Sequence, residues 1–479
     1  MYFLREKVNT IKEYQKIYMI GNAHIDPAWL WHWQDGFAEV KATFRSALDR
    51  MNEFDDYIFT CGCSLYYKWV EENEPSMFEE IKKRVEEGRW VIVGGWLIQP
   101  DCNIPSGESF ARHALYSQYY FYDRFKKRAI TGYNVDSFGH NAMLPQIYKQ
   151  SGMDYYIMMR PQDFEKELPS SLFWWESPDG SKVMTYRIPI NYASWWGDID
   201  PLFEKTQEVM EMAIKDKVAY MNFYGIGNHG GGPTIRNINT IRKLKTCYPD
   251  GIIEFSSPNE YFKDMEKLNP PIPTIKGELQ HHASGCYAAH SKTKINNRRC
   301  EHKLINAEKY SVLAESLLDF KADYKLLANG WEKVLFNQFH DIMGGCSIRQ
   351  VYDDVADFYG YAMTIGAEIE NAALQTISWN IDTMGDFSFP LSRDKDWLIW
   401  EKENLGIPVV IFNPHSFEVT APVIIDKKLS GVSDKDNNGI SMQIVRSPRS
   451  DLRNIWDTVF IATVPPLGYN VYWIYCDKT

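Results

Sequence analysis

Residues 21–36 read Gly21-Asn22-Ala23-His24-Ile25-Asp26-Pro27-Ala28-Trp29-Leu30-Trp31-His32-Trp33-Gln34-Asp35-Gly36, directly after the apolar run Ile17-Tyr18-Met19-Ile20. That run reads as a buried strand, so His24 and Asp26 fall just past its carboxyl end. In an open α/β sheet ligands bind in the crevice beyond the strand carboxyl ends, where loops carry side chains on a rigid scaffold. An imidazole and a carboxylate two positions apart suit a metal ion there, although a lone histidine is more often a satisfied structural residue than a ligand. Trp29, Trp31 and Trp33 point toward a sugar site, with core packing the competing reading of the same rings.

The wider composition is compatible with that start. A chain of 479 residues corresponds to about three domains. Its formal net charge of −11 argues against a nucleic-acid backbone as the main partner. The aromatic content of 15%, with 16 tryptophans, fits rings that stack on sugar faces or fill cores. Residues 1–16 mix charges through a stretch that lacks the continuous apolar segment of a secretory signal, so no export is expected. The longest apolar run, Trp90 to Ile98, is interrupted by Gly94-Gly95 and falls well short of the ~20 residues that span a bilayer. Neither a membrane nor a nucleic acid is therefore an expected partner, and homo-oligomer formation is left open. Eight scattered cysteines without zinc-type spacing read as reduced thiols of a cytoplasmic protein.

Along the chain, strand-like runs at 17–22, 57–61, 90–98, 129–134, 155–159, 220–226 and 252–255 alternate with amphipathic stretches such as Phe37–Phe54, Ser106–Phe125 and Ile235–Thr246. Such alternation implies α/β units and a mostly parallel sheet flanked by helices. Leu172–Arg187 breaks the rhythm as a hairpin turning on Pro178-Asp179-Gly180, expected at a sheet edge or beside the site. The proline-rich link Asn269–Pro273 closes this region. Residues 293–375 then carry long helical patterns, with Leu304, Ala307, Tyr310, Ala314 and Leu317 on one face, as in a helical bundle. From Pro408 the period switches to short β runs at 409–412, 422–425, 460–464 and 469–475.

Two further stretches carry chemistry. Gly132–His140, GYNVDSFGH, places Asp136 just past the predicted strand 129–134, facing the same crevice as Asp26. An N-cap role for Asp136 would need it nearer the helix expected from Asn141. In Asn337–Gly345, NQFHDIMGG, Trp331, Leu335, Phe339 and Ile342 keep helical spacing and the glycines stop the helix, which puts His340 in a last helical turn.

Together HIDPAW, NVDSFGH and NQFHDI, in this order and with PDCNIPSGES and GGGPT between them, resemble glycoside hydrolase family 38, the α-mannosidases. The resemblance covers almost the whole chain. It implies an α/β catalytic domain at 1–270, a helical-bundle domain at 271–375 and an incomplete β-rich, sandwich-like domain at 376–479. It implies a zinc ion, or another divalent ion, held by His24, Asp26, Asp136 and His340, a set of two imidazoles and two carboxylates that suits a borderline metal. In the family the aspartate matching Asp136 is also the nucleophile of a retaining reaction on terminal α-linked mannose. Trp29 and Phe138 then form walls under the sugar, and Arg160 and Asp341 are polar contacts to it.

Two positions depart from the family pattern. Asn228, in GIGNHGGG, stands where relatives carry an acidic general acid/base, and an amide cannot donate that proton. Asn228 then remains a sugar contact, the adjacent His229 is the expected proton donor, and Asp101 is the runner-up. Gln99 stands where relatives often carry Glu. Family members also continue through larger β domains, so a chain ending at Thr479 has the length of a fragment. The expected function is a zinc-dependent retaining α-mannosidase. Its rivals are a metal-dependent carbohydrate deacetylase, in which the ion activates water, and a non-catalytic carbohydrate-binding relative.

Overall fold

The computed structural model describes residues 16–194, 201–227, 230–280, 282–383, 406–451 and 453–476. The chain divides into two compact units. One holds the chain up to Glu301 together with Asn329–Met363, and the other holds His302–Ala328 with the chain from Thr364 onward.

The first unit is built on strands β1 (Ile17–Gly21), β2 (Phe59–Cys61), β3 (Trp90–Ile92), β4 (Thr131–Asn134), β5 (Tyr155–Met158), β6 (Leu172–Glu176), β7 (Lys182–Arg187), β8 (Tyr220–Tyr224), β9 (Ile253–Ser256) and β10 (Thr274–Lys276). Between them run helices α1 (Trp33–Glu53), α2 (Ser64–Asn73), α3 (Pro75–Glu86), α4 (Gly107–Phe125), α5 (Leu144–Gln150), α6 (Leu202–Asp216), α7 (Ile235–Cys247) and α8 (Pro258–Leu268). Every residue of β1 is buried, as a strand paired on both sides requires, and it runs parallel to β8 and β9. β2 pairs with β3 in parallel, and a further parallel bridge joins Asn22 to Thr60. The remaining strands form a sheet of order β10-β6-β7-β5-β4, in which only β6 and β7 are antiparallel neighbours. The unit is therefore a parallel-strand α/β structure flanked by helices.

The β6–β7 hairpin is not at an edge. β10, the segment after the prolines, pairs with β6, so β6 is bonded on both sides and β10 takes the outer position. Burial explains the placement: Phe173, Trp175 and Val183 belong to a core that also holds Trp96, Tyr148 and Tyr156. The rings of Trp96 and Tyr148 stack at 4.8 Å, and those of Tyr156 and Trp175 at 5.8 Å. Much of the aromatic content thus fills the core. The threonine of GGGPT has a local role as well: Thr234 caps α7, accepting from Asn237 N while the Asn237 side chain accepts from Thr234 N.

A helical region follows, with α9 (Ser291–Leu317), α10 (Tyr324–Asn337), α11 (His340–Gly344) and α12 (Arg349–Ser378). Leu304, Ala307, Tyr310 and Ala314 are buried as the periodicity predicts, but Leu317, at the end of α9, is 71% exposed. The helix leading to His340 also ends early. Phe339 has φ −51° and ψ 139°, outside helical space, and pairs as a bridge with Pro100, so α10 stops at Asn337 and His340 opens a new short helix.

In the second unit the chain from Ile407 forms two antiparallel sheets. They comprise β11 (Ile407–Phe412), β12 (Val419–Ile425), β13 (Gly431–Ser433), β14 (Met442–Arg446), β15 (Trp456–Val464) and β16 (Tyr469–Tyr475), in the orders β11-β16-β13 and β12-β15-β14. Their core is Leu429, Val432, Phe460, Ala462, Val464, Tyr472 and Ile474. β13 and β14 are too short or too exposed to show a clear hydrophobic alternation, and periodicity missed them. No helix among the described residues is long and apolar enough to cross a membrane.

Candidate active site

His24 and Asp26 lie just past the end of β1, both buried. Their loop is anchored by Asn22, whose Nδ2 donates to the carbonyls of Tyr192 (2.9 Å) and Tyr224 (3.2 Å) and whose Oδ1 accepts from Tyr133 Oη (3.0 Å). Trp31 Nε1 donates to the Asp26 carbonyl at 2.9 Å, so this tryptophan braces the loop. Asp136 lies just past the end of β4, a strand of the five-stranded sheet. His340 arrives from α11, remote in sequence from the other two stretches, and its Nδ1 contacts the Gln99 carbonyl at 2.8 Å. The Asp101 N–H donates to the Gln338 carbonyl at 2.9 Å, tying the same two loops together.

Four side chains from three separate stretches thus meet. His24 Nε2 is 2.9 Å from Asp26 Oδ1 and 3.9 Å from Asp136 Oδ2, and His340 Nε2 is 4.0 Å from Asp26 Oδ1. The two imidazole rings lie nearly parallel at 5.5 Å. Asp341 Oδ2 is 3.5 Å from His340 Nε2. The sets His24, Asp136, His340 and Asp26, His340, Asp341 each gather one donor atom per residue within 4.8 Å, as a metal site requires.

These atoms are close without satisfying one another. His24 Nε2, Asp26 Oδ1 and His340 Nε2 are buried and have no hydrogen-bond partner among the described residues. Buried polar atoms seldom remain so. An acceptor-bearing carboxylate and two imidazole nitrogens aimed at a common point suit a cation. The His340 Nδ1–H bond to a carbonyl leaves the Nε2 lone pair facing the cluster.

Electrostatics lead to the same reading. Burial lowers the His24 and His340 imidazoles from their usual range. It raises the Asp26 carboxyl well above the usual carboxylate range, with the Asp136 charge adding to the effect. Burial also pushes Asp341 up to about 6. Without a counter-charge the cluster is driven toward neutral forms, and a divalent ion inverts that preference.

Asp136 has a second set of partners. Arg160 approaches its Oδ1 with Nε at 2.9 Å and Nη2 at 2.8 Å, and Tyr192 Oη donates to Oδ2 at 3.2 Å. Phe138 lies with its ring 5.6 Å from His340, edge to face. Gly344 makes room for it, because a Cβ there would stand 2.7 Å from the Phe138 ring. Asp341 Oδ1 accepts from the Cys346 thiol at 3.1 Å. Trp29 is half-buried against Trp31, and its carbonyl accepts from Ile348 N at 2.8 Å. Asn228 and His229 lie outside the described residues. Asp101 is buried and accepts from the backbone N–H groups of Asn103 and Ile104, the arrangement of a turn-forming carboxylate. Sequence reasoning missed Tyr192, which belongs to no motif and whose only signal is its place after the β7 strand end. It also read Gln99 as a departure, without its contacts to Val135 and His340.

An α/β unit with a polar, cation-suited cluster at its strand carboxyl ends has its candidate ligand site where open α/β sheets place one, and the comparisons name the family. The model for the glycosyl hydrolases family 38 N-terminal domain matches residues 14–282, more than half of the chain, and that for the alpha mannosidase middle domain matches residues 281–377. The chain belongs to glycoside hydrolase family 38. It is 29% identical to Alpha-mannosidase G of Dictyostelium discoideum over 95% of this chain and 41% of that protein. It is 30% identical to mouse Alpha-mannosidase 2C1 over 74% of this chain and 34% of that one. The fold matches the crystal structure of an alpha-mannosidase from Enterococcus faecalis V583 with a TM-score of 0.76 at 18% identity, covering 97% of this chain and 56% of the other. The chain thus spans about half or less of the length of these relatives.

Proposed function

We propose that the chain carries the catalytic site of a retaining α-mannosidase, with Asp136 as nucleophile and His24, Asp26, Asp136 and His340 as the ligands of a zinc ion. The observation that supports this best is the double engagement of Asp136: one oxygen is held by Arg160, while the other faces Tyr192 and His24. A bound divalent ion would orient sugar hydroxyls and keep the surrounding carboxylates ionised. The guanidinium holds the Asp136 carboxylate through two N–H groups on Oδ1 and so fixes its direction of approach to the anomeric carbon. Phe138 and Trp29 are the walls for the apolar faces of the sugar, and Asp341 accepts from a sugar hydroxyl. Asn228 is a further sugar contact, and the sequence assigns the proton donor to His229.

The substrate is a terminal α-linked mannoside, free or on an oligosaccharide. None of the eight cysteines is in a disulfide, which supports a cytoplasmic location. The test is hydrolysis of an aryl α-mannoside with the product anomer followed by NMR, before and after chelation and zinc return. Release of α-mannose that chelation abolishes and zinc restores supports the reading. Release of acetate from an acetylated sugar, without mannose, assigns the site to a deacetylase instead.

A further inference from the structure

Asn228 leaves the reaction without the family's usual proton donor, and a histidine–carboxylate pair outside the cluster lies beside Phe138. His282 Nδ1 is bonded to Glu165 Oε1, and the His282 ring lies 5.7 Å from the Phe138 ring. Phe138 in turn packs edge to face on His340, so a single ring stands between His282 and that cluster ligand. The position is built in. His140 and Leu279 exchange two backbone hydrogen bonds, of 3.2 and 2.8 Å, which fix Leu279 along the 138–140 loop. Gly139 lets the adjoining Gln280 approach, since a Cβ on Gly139 would fall 1.5 Å from Gln280 Oε1. Glu165 is held as well: its Oε2 accepts from Gln162 N at 2.8 Å. The His282 side chain keeps 24% of its surface exposed while that of Glu165 keeps 10%, so the imidazole is the more open of the two. Nδ1 faces Glu165, and Nε2 has no partner among the described residues.

We propose that the His282–Glu165 pair is the general acid/base of the mannoside hydrolysis, with His282 Nε2 protonating the departing glycosidic oxygen. This rests on the α-mannosidase reading above and takes over the role that the sequence assigns to His229. As an Asp136 oxygen bonds to the anomeric carbon, the bond from that carbon to the aglycone breaks and its electron pair goes to the aglycone oxygen. That oxygen takes the Nε2 proton, leaving a neutral imidazole. In the second step Nε2 takes a proton from water while the water oxygen attacks the anomeric carbon, breaking the ester and restoring the Asp136 carboxylate. Glu165 engages Nδ1 and so turns Nε2 away from itself.

The experiment compares wild type, His282→Ala, Glu165→Gln and His229→Ala on an α-mannosyl disaccharide and on 2,4-dinitrophenyl α-mannoside, whose phenolate departs without a proton. Circular dichroism melting confirms that each variant is folded. His282→Ala is expected to lose at least about 100-fold in kcat/KM on the disaccharide, the usual size of an acid/base contribution, and under about fivefold on the dinitrophenyl substrate. Azide should accelerate the dinitrophenyl reaction of His282→Ala and yield α-mannosyl azide, because a small anion can replace the base-assisted water. Glu165→Gln should show the same split at smaller size. Equal losses on both substrates, absence of azide rescue, or the split appearing in His229→Ala alone would overturn the proposal. A wild type that releases mannose from neither substrate overturns the α-mannosidase reading itself and the proposal with it, whereas a competent wild type with an unaffected His282→Ala removes only the proposal.

Discussion

Gln99 and His340 are joined through a main-chain contact: the Gln99 carbonyl accepts from His340 Nδ1 at 2.8 Å, while the Gln99 side chain accepts from Val135 N at 3.1 Å. One residue therefore orients a cluster imidazole and braces the segment that leads to Asp136, by two separate groups. Gln99→Ala should keep the first bond and lose the second, leaving a buried N–H unpaired at a cost of about 1–3 kcal/mol. Gln99→Glu preserves an acceptor and should cost less. Denaturant unfolding gives the stability of each. Zinc content after dialysis should stay near that of wild type for Gln99→Ala and fall sharply for His340→Ala, which removes a donor outright.

Gly344 and Phe138 supply a packing test. A Cβ at position 344 would stand 2.7 Å from the Phe138 ring, so Gly344→Ala must move that ring or the end of α11. Overpacking of this kind costs about 1–3 kcal/mol. Because Phe138 is proposed as a wall of the sugar site, KM for an aryl α-mannoside should rise along with the loss of stability. Unchanged KM with lowered stability would limit Phe138 to a packing role.

The parallel strands and the three donor-bearing stretches were legible because their signals are local. β1 is an uninterrupted apolar run, and His24, Asp26 and Asp136 sit at fixed short offsets past strand ends. His340 was legible as a residue but not in its setting, since the break at Phe339 comes from a bridge to Pro100 that no helical periodicity encodes. Tyr192 and the His282–Glu165 pair depend wholly on tertiary contacts between segments distant in sequence. The hairpin was recognised from its turn residues, whereas its interior place in the sheet is set by β10, three residues too short to announce itself.

Two buried histidines outside the cluster set an acid limit on stability. Burial lowers His113 and His140 to about 3, with weaker opposing contributions from Gln338 and from the Arg160 carbonyl. In the unfolded chain both return to about 6.5. Above that pH both states carry neutral imidazoles and the stability is fully present. As pH falls from about 6.5 toward 3 the unfolded state binds protons that the folded state does not, so stability is lost by about 1.4 kcal/mol per pH unit for each proton. Denaturant unfolding from pH 7 to pH 4 should show the slope, and His113→Gln should reduce it by roughly one proton relative to wild type. An identical slope in the variant would show that His113 is not protonated on unfolding.

The sharpest contrast is between the two aspartates of the cluster. Asp136 is bonded by Arg160 and Tyr192 and stands 3.9 Å from His24, so it is proposed as nucleophile and metal ligand together. Asp341 neighbours His340 and accepts from Cys346, and it is proposed only as a contact to sugar hydroxyls. Asp136→Asn keeps the shape and removes the nucleophile, so kcat/KM should fall by at least about 10³-fold on every mannoside, activated ones included. Asp341→Asn should act mainly through KM and on a smaller scale, because an amide still accepts a hydrogen bond from a hydroxyl. Tyr192→Phe separates positioning from chemistry: it withdraws one donor from Asp136 and should lower kcat by about tenfold in the wild-type background. In the Asp136→Asn background the same change should do almost nothing, since the carboxylate on which it acts is gone. Pre-steady-state kinetics with dinitrophenyl α-mannoside completes the argument, as wild type should accumulate a glycosyl-enzyme and release a burst of phenolate. A burst that survives in Asp136→Asn would move the nucleophile to another residue.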